Sequence, residues 1–410
     1  MIKNFLLGSF ILLSLHSFAQ EGTASPYSFY GIGNMKFQGT VENKSMGGLG
    51  ILPDSIHMNL QNPASLSALK LTTFGVAGTY NTLSLKTETA TEKARRTTLD
   101  YLVMAFPVGK LGLSLGLMPL SSVGYRIQKT ETNGDIYKYS GSGGVNKVFV
   151  GAGYQITPKL SVGADLAYNF GKIETNAAVL PSLQFGSREL NTSSLGGISM
   201  NAGAIYKTKF KKYDFVSSLT IAPSTTLVSN NERNIAKVTY ANDGSERVWD
   251  SQDSPSNESK VKLPSKFAFG AGLGEIKKWF VGFESTFYGA SNFAKLYESN
   301  VSFENASKFS LGGYYTPNYN SFSNYLNKIT YRAGFRYENT GLVINTQPIN
   351  DSAVTLGLGL PVGGTFSNIN IGLEYGKRGT TKMNLIQENY LNISIGLSFN
   401  DRWFVKRKFD

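Results

Sequence analysis

The sequence predicts an all-β chain, a transmembrane antiparallel β-barrel of about 14 strands with its N-terminal segment inside the lumen. Three observations predict it. Long stretches place apolar residues at every second position, the pattern of a strand with one greasy face. Beyond the first 19 residues no apolar run is long enough for a membrane-spanning helix. The composition is glycine-rich and charge-poor, with 44 glycines in 410 residues, 12% aromatic and 17% charged residues, unlike an ordinary soluble surface.

Residues 1–19 read as an export signal that is cleaved. Lys3 supplies the positive start, Phe5 to Leu15 the short apolar stretch, and Ser17-Phe18-Ala19 the small residues at the cleavage site. No cysteine follows, so no lipid anchor is expected. Residues 20–71 hold many glycines, among them Gly47, Gly48 and Gly50, and no long alternation. Their apolar residues, such as Phe29, Ile32, Met46, Leu49 and Ile51, favour burial as a plug over the alternative of a disordered periplasmic tail.

From Thr72 to Phe399 the alternation predicts the barrel. Leu391, Ile393, Ile395, Leu397 and Phe399 oppose Asn392, Ser394, Gly396 and Ser398. The same split separates Leu111, Leu113, Leu115 and Leu117 from Gly112, Ser114 and Gly116. Strands are expected near 72–80, 97–107, 111–128, 144–156, 159–172, 194–208, 212–229, 262–274, 278–290, 307–316, 327–338, 352–361, 367–376 and 389–399. Tight turns (108–110, 157–158, 209–211, 275–277) alternate with long loops (81–96, 129–143, 173–193, 230–261, 291–306), and Pro317 to Leu326 is the one short-side connection that runs long. Sorting of this kind belongs to outer-membrane barrels. Tyr80, Tyr101, Tyr154, Tyr168, Tyr206, Tyr315, Tyr337, Tyr375 and Tyr390 fall near strand ends, where aromatic girdles are expected. Residues 400–410 form a basic, aromatic periplasmic tail.

Few residues are available for chemistry. Cysteine is absent, which excludes disulfides and thiolate sites, and the histidines are His16 and His57 alone. His57 has Asp54 and Ser55 nearby in sequence, but loop neighbours do not make a triad. Gly141 to Gly144 lacks the lysine and the strand-to-helix setting of a phosphate loop. No enzyme activity, metal or cofactor is expected.

Charge is more informative. Asp165, Glu284, Arg332, Arg336, Glu338 and Glu374 occupy positions that point into the lumen, where a charge needs water or a partner. Arg332 and Arg336 are expected to pair with Glu374 or with plug carboxylates; one of them meeting an anionic head group in transit is the alternative. Lys211, Lys212, Lys277, Lys278, Arg402, Lys406, Arg407 and Lys408 crowd the predicted periplasmic rim. They suit anionic lipid head groups, or else an acidic periplasmic partner. Nothing resembles a nucleic-acid reading surface.

Ser45-Met46-Gly47-Gly48-Leu49-Gly50, followed by Asn62-Pro63-Ala64-Ser65-Leu66 just before the first strand, resembles the N-terminal hatch of the long-chain fatty-acid transporter (FadL-type, OmpP1) family of barrels. Ser25 to Gly33, Gly357 to Pro361, Gly376 to Gly379 and Asn400 to Lys408 resemble a Bacteroidota branch of it. The resemblance implies that Asn62, Pro63 and Ala64 help to hold the plug. It also implies a monomeric, passive, plug-gated outer-membrane importer of hydrophobic or amphipathic small molecules. The alternative is a non-transporting accessory subunit of an outer-membrane secretion or assembly complex. Partners expected are outer-membrane lipids, a hydrophobic ligand and, in the alternative, a periplasmic or outer-membrane protein.

Overall fold

The computed structural model describes residues 22–181, 185–241, 245–290, 300–321, 324–363 and 366–402. The export segment 1–19 and the rim residues Lys406, Arg407 and Lys408 lie outside the described residues.

A two-residue strand, β1 (Asn34–Met35), and one helical turn, α1 (Val41–Lys44), precede the wall. The wall follows as β2 (Thr72–Lys86), β3 (Thr91–Val108), β4 (Leu111–Thr130), β5 (Ile136–Gln155), β6 (Leu160–Leu180), β7 (Gly186–Phe210), β8 (Tyr213–Ala222), β9 (Thr225–Tyr240), β10 (Glu246–Leu263), β11 (Lys266–Glu275), β12 (Trp279–Tyr288), β13 (Val301–Phe303), β14 (Ala306–Tyr315), β15 (Thr330–Ile344), β16 (Gln347–Pro361), β17 (Asn368–Arg378) and β18 (Gln387–Asp401). β8 and β9 form one stave interrupted at Pro223, and β10 and β11 one interrupted at Pro264, because proline has no N–H for the ladder. With β13 and β14 also sharing a stave, the antiparallel wall has 14 staves, and β18 pairs with β2 from Gln387↔Lys86 to Asp401↔Thr72 to close it.

Outward positions are apolar and exposed, as Leu356 (54%), Leu311 (54%) and Val150 (58%) illustrate, whereas the inward neighbour Thr355 is 1% exposed. Water does not stabilise such an outer face; hydrocarbon does. On β6 the greasy positions run from Leu160 to Phe170, which a strand tilted by about 45° converts into a band roughly 25 Å tall.

Most strands run well beyond their alternating core. The stretches expected as long loops at 81–96, 129–143, 173–193 and 230–261 are largely ladder: β6 continues to Leu180, β7 starts at Gly186, and β9 and β10 reach Tyr240 and Glu246. Beyond the band inward residues such as Ile173, Ala178, Ala236 and Val238 stay buried, but the outward positions are no longer uniformly greasy and the far part of β10 is exposed on both faces, so the polarity pattern fades while the hydrogen bonds continue. Two girdle assignments are also corrected. Tyr101 and Tyr390 are 3% and 5% exposed and point inward. A bulge between Ala77 and Gly78 shifts the β2–β3 register, and a slip of one residue moves every side chain to the other face. Tyr80, Tyr154, Tyr168, Tyr206, Tyr315, Tyr337 and Tyr375 do face outward.

Candidate functional site

Residues 22–71 run around the inside of the wall on a track of glycines. Val41 lies against Gly396 of β18, Ser45 against Gly357 of β16, and Met46 and Gly47 against Gly312 of β14 and Gly334 of β15. Ile51 then meets Gly270 and Gly282, Asn62 meets Gly203, Pro63 meets Gly153 and Gly163, and Leu66 meets Gly112. A β-carbon at Gly112 would stand 2.0 Å from the carbonyl of Leu66, and one at Gly334 would stand 2.2 Å from the amide of Gly47. The wall has no room for side chains at these points because the segment fills it, with backbone at Gly112, Gly153, Gly163, Gly312 and Gly334 and with the side chains of Val41, Ser45, Ile51 and Asn62 at the others.

Local chemistry shapes the segment for this track. Thr40 and Asn43 cap the N-terminus of α1 reciprocally, and Gly47 (φ +70°) and Gly48 (φ +86°) then turn the chain through left-handed conformations. The Gly47 amide donates to Thr355 Oγ1 at 2.9 Å, and that hydroxyl donates on to the Ser45 carbonyl at 3.0 Å. Asn62 Oδ1 accepts from the Ala64 amide at 3.1 Å, and Asn62 Nδ2 donates to the carbonyls of Ala204 and Leu219, each at 3.3 Å. Pro63 and Ala64 open the short 3-10 helix that leads into β2.

The inward charges divide into two groups. Glu284 accepts from the Gly50 amide at 2.9 Å, Asp165 accepts from Asn201 at 2.8 Å, and Arg332 donates to Asn370, which donates to Glu42 of the segment at 2.8 Å. Arg336 is a hub within the wall, 2.8 Å from Glu374, 3.2 Å from Glu338 and 3.6 Å from Asp351. Lys44 of α1 joins it through Glu374 at 3.5 Å. Arg378 holds Asp351 at 2.8 Å and Glu388 at 3.9 Å, and Glu388 accepts from Ser25. Asp351, Arg378, Glu388 and Lys44 were not singled out in the sequence. Three of them lie where the alternation fades, and Lys44 lies in a segment without any.

One seam of the wall is incomplete. β3 and β4 pair only from Leu102↔Leu117 to Val108↔Leu111. Farther along, β3 stays with β2 as far as Thr91↔Lys86 and β4 stays with β5 as far as Thr130↔Ile136. β1 lies against the edge of β4 that β3 has left: Asn34 pairs with Ser122 and Met35 with Ser121, and the Lys36 amide donates to Leu120 at 2.9 Å. Met35 is 53% exposed. On the lumen side of this seam lies an apolar cluster that includes Ile32, Leu120, Val123, Tyr125, Val145 and Ile173, with Phe29 edge-on to Tyr125 at 5.1 Å.

At the end of the barrel where β2 begins and β18 stops, a cavity of about 360 Å³ opens between the segment and the turns. Arg332, His57, Glu42 and Asp54 line it together with apolar Leu52, Ile56, Met58, Ile205, Ile276 and Tyr314. His57 Nδ1 is 3.3 Å from Asp54, while Nε2, 3.9 Å from Glu42, has no hydrogen-bond partner. Burial opposes the charge on His57, but Asp54 and Glu42 outweigh it and raise the imidazole above its ordinary value. Burial also opposes the charge on Asp54, yet His57 and the Ile56 amide hold that carboxyl well below the usual range.

Lys211, Lys212, Lys277, Lys278 and Arg402 sit at this same end, several of them over a ring: Lys212 over Tyr213 at 5.2 Å, Lys277 over Tyr319 at 5.1 Å and Arg402 over Phe366 at 5.5 Å.

A family model described as BamG matches residues 1–410. No curated protein matches the chain. Among solved structures, the Pseudomonas putida toluene transporter TodX is similar at 15% identity and a TM-score of 0.61, covering 91% of this chain and 100% of its own. A Pseudomonas aeruginosa FadL homologue is similar at 8% identity and a TM-score of 0.59, with 90% and 99% covered. At these identities the likeness is one of fold.

Proposed function

The chain belongs to the BamG family, and from the geometry of its wall we propose that it is an outer-membrane barrel that passes hydrophobic or amphipathic small molecules without an energy source, with residues 22–71 as a movable plug. The greasy outer band supports a bilayer setting. The end carrying the β7–β8 and β11–β12 turns faces the periplasm in this orientation.

The incomplete β3–β4 seam carries the reading. It begins at Leu102 and Leu117, both exposed on the greasy outer face, and it leads to the apolar cluster around Tyr125. An apolar molecule in the lumen therefore leaves sideways into hydrocarbon without crossing the polar floor, once β1 moves aside. A ladder of two residue pairs is a weak closure compared with the long ladders elsewhere in the wall. The toluene transporter TodX and the FadL homologue share the fold and so add support.

The test is a disulfide between cysteines placed at the register partners Asn34 and Ser122. In vesicles containing the purified barrel, entry of a monoaromatic such as toluene is expected to fall when the pair is oxidised and to recover on reduction. Equal entry in both states refutes the reading.

A second reading, an accessory subunit of an outer-membrane secretion or assembly complex, is favoured by the long 316–329 turn, where Tyr319, Tyr325 and Leu326 are exposed beside the basic rim. Gentle-detergent purification tests it. A stoichiometric partner protein supports it, and a barrel that runs alone removes it.

A further inference from the structure

We propose that the cavity at the β2/β18 end of the lumen binds an acidic segment of a polypeptide presented from the periplasm. The proposal rests on the orientation given above, not on the passage of small molecules.

Four lysines from four separate places converge on the opening: Lys70 just before β2, Lys159 in the β5–β6 turn, Lys207 of β7 and Lys277 in the β11–β12 turn. Among the described residues none of the four forms an ion pair. Arg332 lies deeper, 8% exposed, and of the carboxylates lining the cavity Asp54 is engaged by His57 and Glu42 by Asn370. The lining therefore carries an unbalanced positive charge directed at one aqueous opening, and that field attracts anions.

The shape of the charge identifies the kind of anion. A single phosphate or carboxylate is held by a focused clamp. Here the lysines are spread around the opening, which suits several negative groups along an extended chain. The walls between them are partly apolar, with Leu52, Ile56, Met58, Ile205, Ile276 and Tyr314 among the lining residues, so an apolar side chain interleaved with the acids finds contacts there as well. His57 Nε2 and Glu42 Oε2 are buried and unpartnered and lie close together, leaving polar groups at one place on the cavity floor to meet the peptide backbone. Lipid head groups are a poorer match, because the opening lies inside the ring of staves while lipid packs outside it.

The experiment uses the full-length barrel in detergent, where both ends are accessible, and measures anisotropy of a fluorescein-labelled hexaglutamate peptide. The K159E/K207E/K277E variant is expected to bind at least about tenfold more weakly than the parent. The K211E/K212E/K278E variant, altered on the same rim but outside the cavity, is expected to bind within about twofold of it. Equal losses in both variants would mean attraction to the rim in general, and no binding by the parent would mean no site. Either result overturns the proposal. Inorganic phosphate competing as strongly as the peptide would replace the polypeptide with a small anion, and capture by phosphatidylglycerol vesicles that depends on the same three lysines would replace it with lipid. Oxidation of the 34–122 cysteine pair leaves this measurement untouched, so it stands or falls apart from the passage reading.

Discussion

Gly203 of β7 omits a side chain where Asn62 takes the space: a β-carbon there would lie 2.1 Å from Asn62 Oδ1. The amide of Asn62 reaches past this bare spot to the carbonyls of Ala204 and Leu219. Asn62→Ala removes these two bonds and the cap on Ala64, which is expected to weaken attachment of residues 59–71 by about 1–3 kcal/mol without unfolding the wall. Gly203→Val is expected to do the same from the other side. Limited proteolysis of the folded barrel is the check. Faster cleavage before Thr72, with unchanged heat-modifiable migration of the remainder, is the expected outcome, and unchanged cleavage in both variants would remove the anchoring role.

How much of this could be read beforehand follows from what each feature depends on. The staves were readable because hydrocarbon imposes a period of two on every one of them, as in Leu391 to Phe399. The glycines opposite Leu111, Leu113 and Leu115 were visible as a bare face, but what lies on that face is a long-range fact that no local pattern encodes. The polar end of β10 escaped because both of its faces are exposed. Tyr101 was misplaced by one bulge. Arg336 and Glu374 were visible as inward charges, whereas Asp351 and Arg378 sit just past the alternation that would have set their direction.

Arg336 compensates three carboxylates, with Glu374 and Asp351 almost wholly buried. Arg336→Gln leaves Asp351 to Arg378 and Glu374 to the more distant Lys44, and is expected to cost about 3–5 kcal/mol of barrel stability, since removing one partner from a buried ion cluster is expensive. Arg336→Gln with Glu374→Gln is expected to recover part of that loss. Unfolding of the barrel by guanidinium or heat, followed by the migration shift, measures both, and a single variant as stable as the parent would show that water already reaches the cluster.

The pair Asp54 and His57 makes the floor of the cavity sensitive to pH. His57 has a raised folded pKa, so its contribution is complete below the ordinary histidine value and is lost as pH rises through the raised one. Asp54 has a depressed folded pKa, so its contribution is present above the ordinary carboxylate value and is lost only in strong acid. Protection of the amides near Ile56 is therefore expected to be greatest in mildly acidic solution and to decline on the alkaline side. Hydrogen exchange across that range tests it, with His57→Gln expected to remove the alkaline decline. A flat profile in the parent would contradict the pairing.

Leu356 and Thr355 are neighbours on β16 that face opposite sides of the wall. The outer side chain lies within the greasy band, between Leu373 on β17 and Ala333 on β15, its register partners. An arginine at 356 has to leave water for hydrocarbon, at an expected cost of about 2–4 kcal/mol near the middle of the bilayer. Ser251→Arg, on the stretch of β10 that projects beyond the band, loses no hydration and is expected to be neutral. Folding of each variant into lipid vesicles, followed by heat-modifiable migration, separates the two. If Leu356→Arg folded as efficiently as Ser251→Arg, the outer face would not be meeting lipid, and the bilayer setting would fail together with the sideways exit that depends on it.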